Sequence, residues 1–335
     1  MTLAFVALGL DHRHIYGMTE NMLAQGARCL GYWTEGAPQP LDGYVRRNPD
    51  LRRFDTLDAA LSAGADLALV SCVPADRAAL AIKAMQTGHD VMTDKPGCTT
   101  MDQLAAIRAC VAETGRIWSI NFSERFEVPC VTLADALVQE GAIGRVVHTT
   151  GLGPHRLNRA TRPEWFFQRE RYGGVLADIA SHQIDQFLHF TGSDDAQVTL
   201  AHVANHANPD DPGLQDFGEI ALRSAHASGY IRVDWYTPDA LPNWGDGRLT
   251  LLGTDGYIEL RKYVDVAGRD GTDHLVLVNG ARCETIDARD AGLPYFARLA
   301  HDIAHRTETA MTQAHCFKVM ELALQAQAMA EGRRA

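Results

Sequence analysis

Several features that mark particular classes of protein are scarce or missing in this sequence. Acidic side chains outnumber basic ones by 42 to 31, and the resulting net charge of −11 makes nucleic acid or an anionic membrane surface a poor candidate for the main partner. No apolar run approaches the ~20 residues of a membrane span. The first residues also lack the basic segment followed by an apolar one that marks a secretion signal.

The seven cysteines follow no recognisable pattern, and no two of them form a C-x-x-C pair. Scattered cysteines of this kind are ordinarily small, buried, apolar residues of proteins kept in a reducing compartment. We therefore expect most of them to be buried and the protein to be cytoplasmic.

The length of 335 residues and the hydrophobic content of 46% predict two globular domains. Over the first 120 residues, strand-like runs alternate with helical segments. This alternation implies right-handed crossovers and an α/β fold with a doubly wound parallel sheet.

The rhythm changes after residue 120. From 197 to 286, short β-branched runs are separated by Gly, Pro and Asp, which is typical of antiparallel strands. Two helical stretches, 294–306 and 312–331, close the chain. We predict a dinucleotide-binding domain over 1–120 and an α+β domain over 121–335 with an open, mostly antiparallel sheet.

The stretch VMTDKPGCTT brings charge to the end of a predicted strand. Because Pro96 cannot donate to a sheet ladder, the strand must end near Asp94 and Lys95. Open α/β sheets bind ligands beyond the carboxyl ends of their strands. Lys95 is therefore a candidate functional cation, the alternative being a solvated lysine in a loop.

The first predicted strand leads into GLDHRHIYG, at the place where a dinucleotide-binding fold carries the turn G-x-G-x-x-G. Gly9 matches the first glycine, whereas Asp11 and His14 stand at the places of the other two. Helix N-termini still bind anions through backbone N–H groups. We expect His12, Arg13 and His14 to add positive charge where the second glycine would have given close approach.

The acidic residue that ends the second strand of such folds and binds the ribose is displaced in this chain. In GYWTE, Thr34 occupies its place and Glu35 follows. NAD and NADP both stay open as cofactors. NAD is modestly favoured, because no basic residue immediately follows Thr34 to meet a 2′-phosphate and Glu35 would repel one.

His12-x-His14 has a second interpretation, because an H-x-H after the first strand binds metal in amidohydrolase-type barrels. Such a site needs further ligands on later strands of an eightfold β/α repeat. The second half of this chain has an antiparallel rhythm instead. We therefore expect no metal and keep a metal-dependent hydrolase as an alternative.

The stretch YGGVLADIASHQIDQFLHF predicts a helix from about Gly174 to Phe190. The spacing of Asp178, His182 and Asp185 places the first two on one face of that helix, a turn apart. A carboxylate and an imidazole so placed can hydrogen-bond the same substrate hydroxyl, or Asp178 can orient His182. The alternative is a polar stripe on a solvent-exposed face.

Together these motifs resemble the Gfo/Idh/MocA family, which contains glucose–fructose oxidoreductase, inositol dehydrogenases and many sugar dehydrogenases. The segments DKP, NFSERFEVP, GAIGRVVHT, RPEWFF and GGVLADIASHQID follow one another as in that family, over essentially the whole chain. The resemblance implies an N-terminal Rossmann domain and a C-terminal domain for substrate binding and oligomerisation. The departures are the glycine turn, Asp94 in place of glutamate, and Arg77 or Ala78 where many members carry a histidine.

The resemblance also implies a reaction. In the family, the lysine of E-K-P contacts the reacting hydroxyl, and the aspartate and histidine of G-G…D-x-x-x-H bind substrate and relay its proton. Lys95, Asp178 and His182 match these positions and are the implied catalytic residues. The implied activity is that of an NAD(P)-dependent dehydrogenase acting on a secondary alcohol of a sugar, polyol, inositol or sugar acid, with Lys95 and His182 handling the alkoxide and the hydroxyl proton.

The remaining site residues are assigned from the turn, the strand ends and the resemblance. The predicted cofactor-binding residues are Gly9, Asp11, His12, Arg13, His14, Thr34, Pro74, Asp94 and Lys95. The predicted substrate-binding residues are Arg125, His155, Arg156, Trp165, Asp178 and His182. The loop GPHRLNRATRPEWFFQRERYGG carries three of these, and its five arginines would suit an acidic sugar.

Two further alternatives stay open on the same fold. One is a glycosidase or lyase that retains NAD and uses transient oxidation to cleave or eliminate. The other is a non-catalytic sugar-sensing protein, against which the presence of Lys95, Asp178 and His182 argues.

The second domain also predicts self-association. Its runs GYIRVDWYT and LVLVNG would load both faces of the sheet with apolar side chains, which a monomer would expose. These side chains are Tyr230, Ile231, Val233, Trp235, Leu275 and Leu277. Because family members pair such sheets between subunits, the resemblance supports a homodimer or homotetramer.

Overall fold

The computed structural model describes residues 2–333, so residue 1 of the first predicted domain and residues 334 and 335 of the second lie outside the described residues. The chain forms two compact units. The first comprises the residues up to Asn121 together with Glu170–Gly173 and Pro294–Met320, and the second comprises Phe122–Arg169, Gly174–Leu293 and the residues from Glu321 onward. The ranges 1–120 and 121–335 stay a prediction of domain organisation. In the structure, Glu170–Gly173 and Pro294–Met320 return to the first unit although they follow residue 120 in the sequence.

The elements alternate between strand and helix at first and are then dominated by strands. The strands are β1 (Ala4–Leu10), β2 (Arg28–Trp33), β3 (Leu67–Ser71), β4 (Asp90–Asp94), β5 (Trp118–Asn121), β6 (Val146–Pro154), β7 (Gln197–Ala204), β8 (Phe217–Arg223), β9 (Ser228–Asp234), β10 (Arg248–Gly253), β11 (Gly256–Arg261), β12 (His274–Asn279) and β13 (Cys283–Asp287). The α-helices are α1 (His14–Ala24), α2 (Leu41–Arg47), α3 (Leu57–Leu61), α4 (Arg77–Gln86), α5 (Met101–Thr114), α6 (Ser123–Phe126), α7 (Pro129–Gln139), α8 (Arg169–Tyr172), α9 (Val175–Asp178), α10 (Ala180–Thr191), α11 (Pro294–His305) and α12 (Gln313–Ala330). Short 3₁₀ helices cover Pro74–Asp76, Arg159–Thr161 and Glu164–Phe167.

The first unit is built on a parallel sheet with the strand order β2-β1-β3-β4-β5. Every residue of β1, β3, β4 and β5 is buried, as expected for a sheet covered on both faces. A parallel bridge between Tyr32 and Arg53 extends the sheet beyond β2. With that bridge the order matches the doubly wound dinucleotide-binding fold, whose direction reverses between β1 and β3. The predicted fold of the N-terminal half is confirmed.

The edge strand β5 is closed by a side chain from α12. The Gln313 amide donates to the carbonyl of Trp118 and accepts from its N–H, both at 3.0 Å, which satisfies the backbone of an edge residue. The Trp118 ring stacks on Phe317 at a centroid separation of 5.4 Å. In α11, Tyr295 hydrogen-bonds Ser119 at 2.5 Å. These contacts explain why the returning segment belongs to the first unit.

The second unit is built on a sheet of the order β13-β12-β11-β10-β6-β9-β8-β7. The β6–β9 pair is parallel and the other neighbouring pairs are antiparallel. Helices α7, α9 and α10 pack on this sheet. The predicted open, mostly antiparallel sheet is confirmed.

The apolar side chains of this sheet divide between its faces differently from the prediction. Ile231 and Val233 of β9 and Leu275 and Leu277 of β12 are at most 1% exposed, because their alternation turns them all towards the side on which the helices pack. Trp235, just after β9, is also buried. Of the six apolar side chains expected to occupy both faces of the sheet, only Tyr230 points away from the packed helices, and it is half-buried. The expectation is therefore wrong for the other five, which all lie on the helix-covered face.

All seven cysteines are free thiols, and five of them are buried. The expectation that most are buried is confirmed. Separately, within residues 2–333 no helix combines the length and the apolar character needed to cross a bilayer.

Candidate active site

The turn between β1 and α1 relies on Gly9. This residue has a φ of +67°, in the left-handed region that favours glycine. A Cβ at this position would overlap the Cβ of Cys72, which follows β3. Gly9 thus allows the ends of β1 and β3 to approach each other at the point where the sheet reverses direction.

A cavity of about 480 Å³ opens at this point in the first unit. Its lining combines the end of β1, the segment after β2 and the segment after β3, which is where doubly wound sheets bind ligands. The lining residues are Gly9, Asp11, Trp33, Glu35, Leu57, Cys72, Val73, Asp76, Ala79, Leu80, Lys83 and Arg171. Of the predicted cofactor residues, the cavity includes Gly9 and Asp11.

Asp94 is the centre of a buried cluster beside this turn. One carboxylate oxygen accepts from His14 Nδ1 at 2.8 Å, and the other contacts His12 Nδ1 at 2.9 Å and Arg77 Nη2 at 2.9 Å. The Ser71 hydroxyl donates to Asp94 at 3.2 Å. Burial alone would raise the pKa of Asp94, but Arg77 and the two imidazoles hold it well below its usual value. The carboxylate is therefore ionised and fully engaged.

His12 differs from its predicted role. Burial lowers the pKa of His12 to about 3, an effect that outweighs the attraction of Asp94. The imidazole is therefore neutral at physiological pH, so the prediction that it adds positive charge to the turn is wrong. Its contribution is a hydrogen bond that fixes the turn against the end of β4.

The same cluster bears on the metal alternative. One ligand atom each from His12, His14 and Asp94 lie within 4.8 Å of one another, close enough for a shared ion. Arg77, however, already brings a positive charge to the same carboxylate. The hydrogen-bonded cluster satisfies these groups within the chain, and the absence of a metal stays a prediction.

Lys95 follows Asp94 at the end of β4 and is 4% exposed. Its peptide bond to Pro96 is cis. The Arg77 guanidinium donates to the carbonyls of both Lys95 and Pro96. A buried arginine thus fixes the backbone that directly follows the Lys95 side chain, at the end of β4.

The other predicted cofactor residues take varied positions. Thr34 is buried and its hydroxyl accepts from the Leu10 N–H at 3.1 Å, so it joins β2 to β1 while Glu35 lines the cavity. Arg13 donates to the side chain of Gln39 at the surface. Pro74 is buried and begins the 3₁₀ turn after β3.

In the second unit, Asp178 and His182 lie on consecutive helices. Asp178 is the last residue of α9, whereas His182 lies in the first turn of α10. The predicted continuous helix is interrupted at Ile179, where the His182 N–H bonds back three residues to the Ile179 carbonyl at 3.1 Å. Asp178 is 7% exposed and His182 is 1% exposed. The alternative of a solvent-exposed stripe is thereby excluded.

Arg125 lies close to the same helix but is engaged by a carboxylate. Its guanidinium binds Asp185 through two hydrogen bonds of 2.7 and 2.6 Å and lies over the ring of Phe126. The neighbouring Phe122 meets the His182 ring edge-on at 6.3 Å. The α6 segment therefore supports the helix that carries His182.

His155 lies in an aromatic cluster after β6. Its ring is 5.3 Å from that of Trp235 and 4.6 Å from that of Trp244. The Arg156 guanidinium bonds backbone carbonyls of the segment 238–241. Trp165 is half-buried beside Phe166.

The five arginines of the loop before α9 are all engaged with the protein itself. Arg156 and Arg162 bond backbone carbonyls, while Arg159, Arg169 and Arg171 pair with carboxylates. Their charges are therefore neutralised or satisfied internally. The structure gives no support to the expectation that this loop presents arginines to an acidic sugar.

Sequence reasoning missed one buried ion pair in the second unit. Lys262 lies 2.7 Å from Glu124, and both side chains are at most 3% exposed. Lys262 holds the pKa of Glu124 at about 2, against the effect of burial. The two residues are 138 positions apart, and neither belongs to a pattern that would have linked them.

Two family models match the two halves of the chain. The model for the oxidoreductase family with an NAD-binding Rossmann fold matches residues 32–122, and the GFO/IDH/MocA C-terminal domain model matches residues 131–259. The chain belongs to the Gfo/Idh/MocA family. The predicted recognition, enzyme class and nicotinamide cofactor are thereby confirmed, while the choice between NAD and NADP stays a prediction.

Three relatives show how far the similarity extends. The chain is 22% identical to scyllo-inositol 2-dehydrogenase (NAD(+)) of Bacillus subtilis over 261 residues, which cover 76% of this chain and 72% of that one. It is 28% identical to scyllo-inositol 2-dehydrogenase (NADP(+)) of the same organism over 127 residues, 37% and 34% of the two chains. It is 40% identical to a proposed oxidoreductase of Erwinia carotovora atroseptica with a known crystal structure. The superposition of the two structures covers 100% of this chain and 99% of that one, with a TM-score of 0.94.

The residues of the first unit fit a dinucleotide despite the altered turn. Gly9 keeps the close approach at the first turn position, and the cavity lies where the strand order reverses. The helix α1 begins at His14, so its N-terminal N–H groups lie beside this turn. Glu35, one residue after the position at which dinucleotide-binding folds carry an acidic residue, lines the cavity.

Proposed function

We propose that the protein is a nicotinamide-dependent dehydrogenase of a sugar, polyol or inositol, oxidising a secondary alcohol or reducing the corresponding ketone. The family and the two scyllo-inositol dehydrogenases among the relatives support this assignment. The observation that carries it is the burial of Asp178 and His182 at adjoining helix ends, because an acid–base pair removed from bulk water is what proton transfer from a hydroxyl requires.

The proposed roles follow from the chemistry of each side chain. The cofactor supplies the hydride acceptor when bound. His182 takes the hydroxyl proton, and Asp178 orients the imidazole or the substrate hydroxyl. Lys95, on the rigid end of β4, stabilises the negative charge that develops on the alcohol oxygen.

The lining of the cavity in the first unit favours NAD. The Glu35 carboxylate would accept hydrogen bonds from ribose hydroxyls and would repel a 2′-phosphate. Two cations, Lys83 and Arg171, also line the cavity, but Lys83 is paired with Asp58 at 2.6 Å and Arg171 with Asp76 at 2.7 Å. Their charge is thus already compensated.

The assay that tests the proposal follows the absorbance of reduced cofactor. The purified protein is incubated with NAD or NADP and a panel of sugars, inositols, other polyols and uronic acids. We expect reduction with at least one member of the panel, and a loss of at least about 100-fold in turnover in His182→Gln. His202→Gln, at an exposed position on β7, is the matched control and should keep wild-type turnover. Dinucleotide binding without reduction by any member would contradict the proposal.

A further inference from the structure

The buried carboxylate of Glu124 is engaged through only one of its oxygens. Oε2 accepts from Lys262 Nζ at 2.7 Å and from Gln183 Nε2 at 2.9 Å. Lys262 in turn donates to Gln186, whose amide donates to the carbonyl of His182 at 3.1 Å. Glu124 is therefore part of a buried polar network that reaches the backbone of the proposed catalytic histidine.

Two acceptors in this network have no donor among residues 2–333. They are Oε1 of Glu124 and Oε1 of Gln183, and both atoms are buried. A buried carboxylate oxygen without a donor is costly, and in native structures a bound water, an ion or a ligand usually satisfies it. Both atoms belong to residues that are 2% exposed, and a hydrogen bond joins the two side chains, so they form one local feature.

The surrounding residues fix these two side chains against the helix that carries His182. Gln183 follows His182 in α10 and packs against β6, where a Cβ at Gly151 or Gly153 would lie 2.7 or 2.9 Å from the Gln183 side chain. Strand β6 thus keeps two glycines that make room for this glutamine. The Glu124 carboxylate is also within electrostatic range of the imidazoles of His182 and His155.

We propose that Glu124 is a substrate-binding residue, and that its Oε1 and that of Gln183 accept hydrogen bonds from neighbouring hydroxyl groups of a neutral polyhydroxy substrate. This inference rests on the proposed dehydrogenase function and narrows its substrate class. Sugar and inositol hydroxyls are donors of the kind that two acceptors require. A sugar acid would instead bring a second carboxylate to a site that already holds an ionised one.

The charges in the network favour the same class of substrate. Lys262 compensates Glu124 within the protein, so the pair has no cation left to offer an anionic ligand. The arginines of the loop before α9 are engaged elsewhere, as described above. An uncharged polyol is therefore the substrate that these acceptors suit.

The first experiment compares neutral and acidic probes on the wild-type protein. Isothermal titration calorimetry with scyllo-inositol, D-xylose and D-glucuronate is carried out at saturating NADH, which prevents oxidation of the probe. We expect a neutral probe to bind at least about 10-fold more tightly than D-glucuronate. Equal or tighter binding of D-glucuronate, or no binding of either neutral probe, would overturn the inference.

The second experiment removes the acceptor without leaving Lys262 unpaired. The double variant Glu124→Leu, Lys262→Met replaces the ion pair with apolar groups, so it should fold as stably as the wild type. Its affinity for the neutral probe should fall by about 10- to 100-fold, the loss expected for a hydrogen bond to a charged acceptor. Glu219→Gln, on the opposite face of the sheet, is the matched control and should bind normally.

A further variant keeps the test decisive if the double variant unfolds. Gln183→Leu leaves the Glu124–Lys262 pair in place and should weaken binding of the neutral probe in the same direction. Wild-type affinity in either folded variant would refute the inference. If probe binding depends on Glu124 but no hydride transfer occurs, the dehydrogenase proposal fails and the binding site stands. If these variants reduce the cofactor as fast as the wild type does, the dehydrogenase proposal stands and the assignment of Glu124 as a substrate-binding residue fails.

Discussion

Arg77 donates to the carboxylate of Asp94 at 2.9 Å, and neither side chain is exposed to solvent. The same guanidinium bonds the carbonyls of Cys72, Lys95 and Pro96. One side chain therefore joins the segments that follow β3 and β4, the two places where a doubly wound sheet presents its functional residues. Arg77 positions Lys95 without being a candidate for the chemistry itself.

Replacing Arg77 should strongly destabilise the fold. Arg77→Met would leave the Asp94 carboxylate buried with its main cation removed, which costs about 3–5 kcal/mol of unfolding free energy. Urea unfolding followed by circular dichroism measures the loss. The control is Arg47→Met, which removes an exposed pair with Glu20 and should cost less than about 1 kcal/mol. Equal effects of the two substitutions would show that the buried pair is unimportant.

Stability should fall on mild acidification because of His12. The pKa of His12 is about 3 in the folded chain, whereas the ordinary value of 6.5 applies to the unfolded chain. Between these two pH values the unfolded state therefore binds a proton at His12 and the folded state does not. The free energy of unfolding should therefore decrease as the pH falls from about 6.5 towards about 3, by up to about 1.4 kcal/mol per pH unit from this group. In His12→Asn that part of the slope should vanish. Unfolding measured at several pH values in both proteins checks this, and an unchanged slope would contradict it.

The fold could be predicted from the sequence because its signals are local. Strand-like runs that alternate with helices fix the parallel sheet, and Pro96 fixes the end of β4 next to Lys95. The faces of the second sheet were harder to assign. Both Ile231 and Tyr230 are apolar in sequence, and only the packing of α10 shows which of them is buried.

The candidate site was predictable only where its residues lie close together in the sequence. The prediction that Asp178 and His182 avoid solvent agrees with their burial, although the break at Ile179 that separates their helices left no trace in the pattern. The charge of His12 depends on burial, which its neighbours along the chain do not determine. Glu124 and its distant partner Lys262 meet only when the sheet has formed, so neither could be recognised from spacing.

Lys95 should affect turnover more than cofactor binding. We expect Lys95→Ala to lower turnover by at least about 100-fold, because a cation that stabilises a developing alkoxide acts mainly in the transition state. Lys83→Ala is the comparison, since Lys83 lines the cofactor cavity and should change the KM for the cofactor more than kcat. Steady-state kinetics separates the two. Near-wild-type turnover in Lys95→Ala would remove this lysine from the mechanism.

The cofactor preference should depend on Glu35. We expect NADH to bind more tightly than NADPH in the wild type, since the Glu35 carboxylate lines the cavity and repels a 2′-phosphate. Glu35→Gln keeps the hydrogen-bonding capacity but removes the charge, so it should narrow the difference by several-fold, or about 1 kcal/mol. Calorimetric titration of both cofactors against both proteins measures it. Tighter binding of NADPH to the wild type would overturn the preference.

Self-association is expected through the face of the second sheet that lies opposite its packed helices. Although most of the apolar residues first assigned to it are buried, Leu252 and Tyr257 face each other across β10 and β11 and are 45% and 40% exposed. Half-buried Tyr230 lies on the same face. Apolar side chains grouped on one sheet face mark an interaction surface. We therefore still expect a homodimer or homotetramer.

Light scattering at micromolar concentration tests this expectation. The wild type should give a multiple of 36.7 kDa, and Leu252→Lys with Tyr257→Lys should shift the mass towards the monomer, because paired sheets would bury two lysine charges. Leu23→Lys changes a similarly exposed leucine on α1, in the first unit, and should leave the assembly intact. A wild-type mass of one chain would show that the protein is a monomer. A multimer that survives the double substitution would place its interface on another surface.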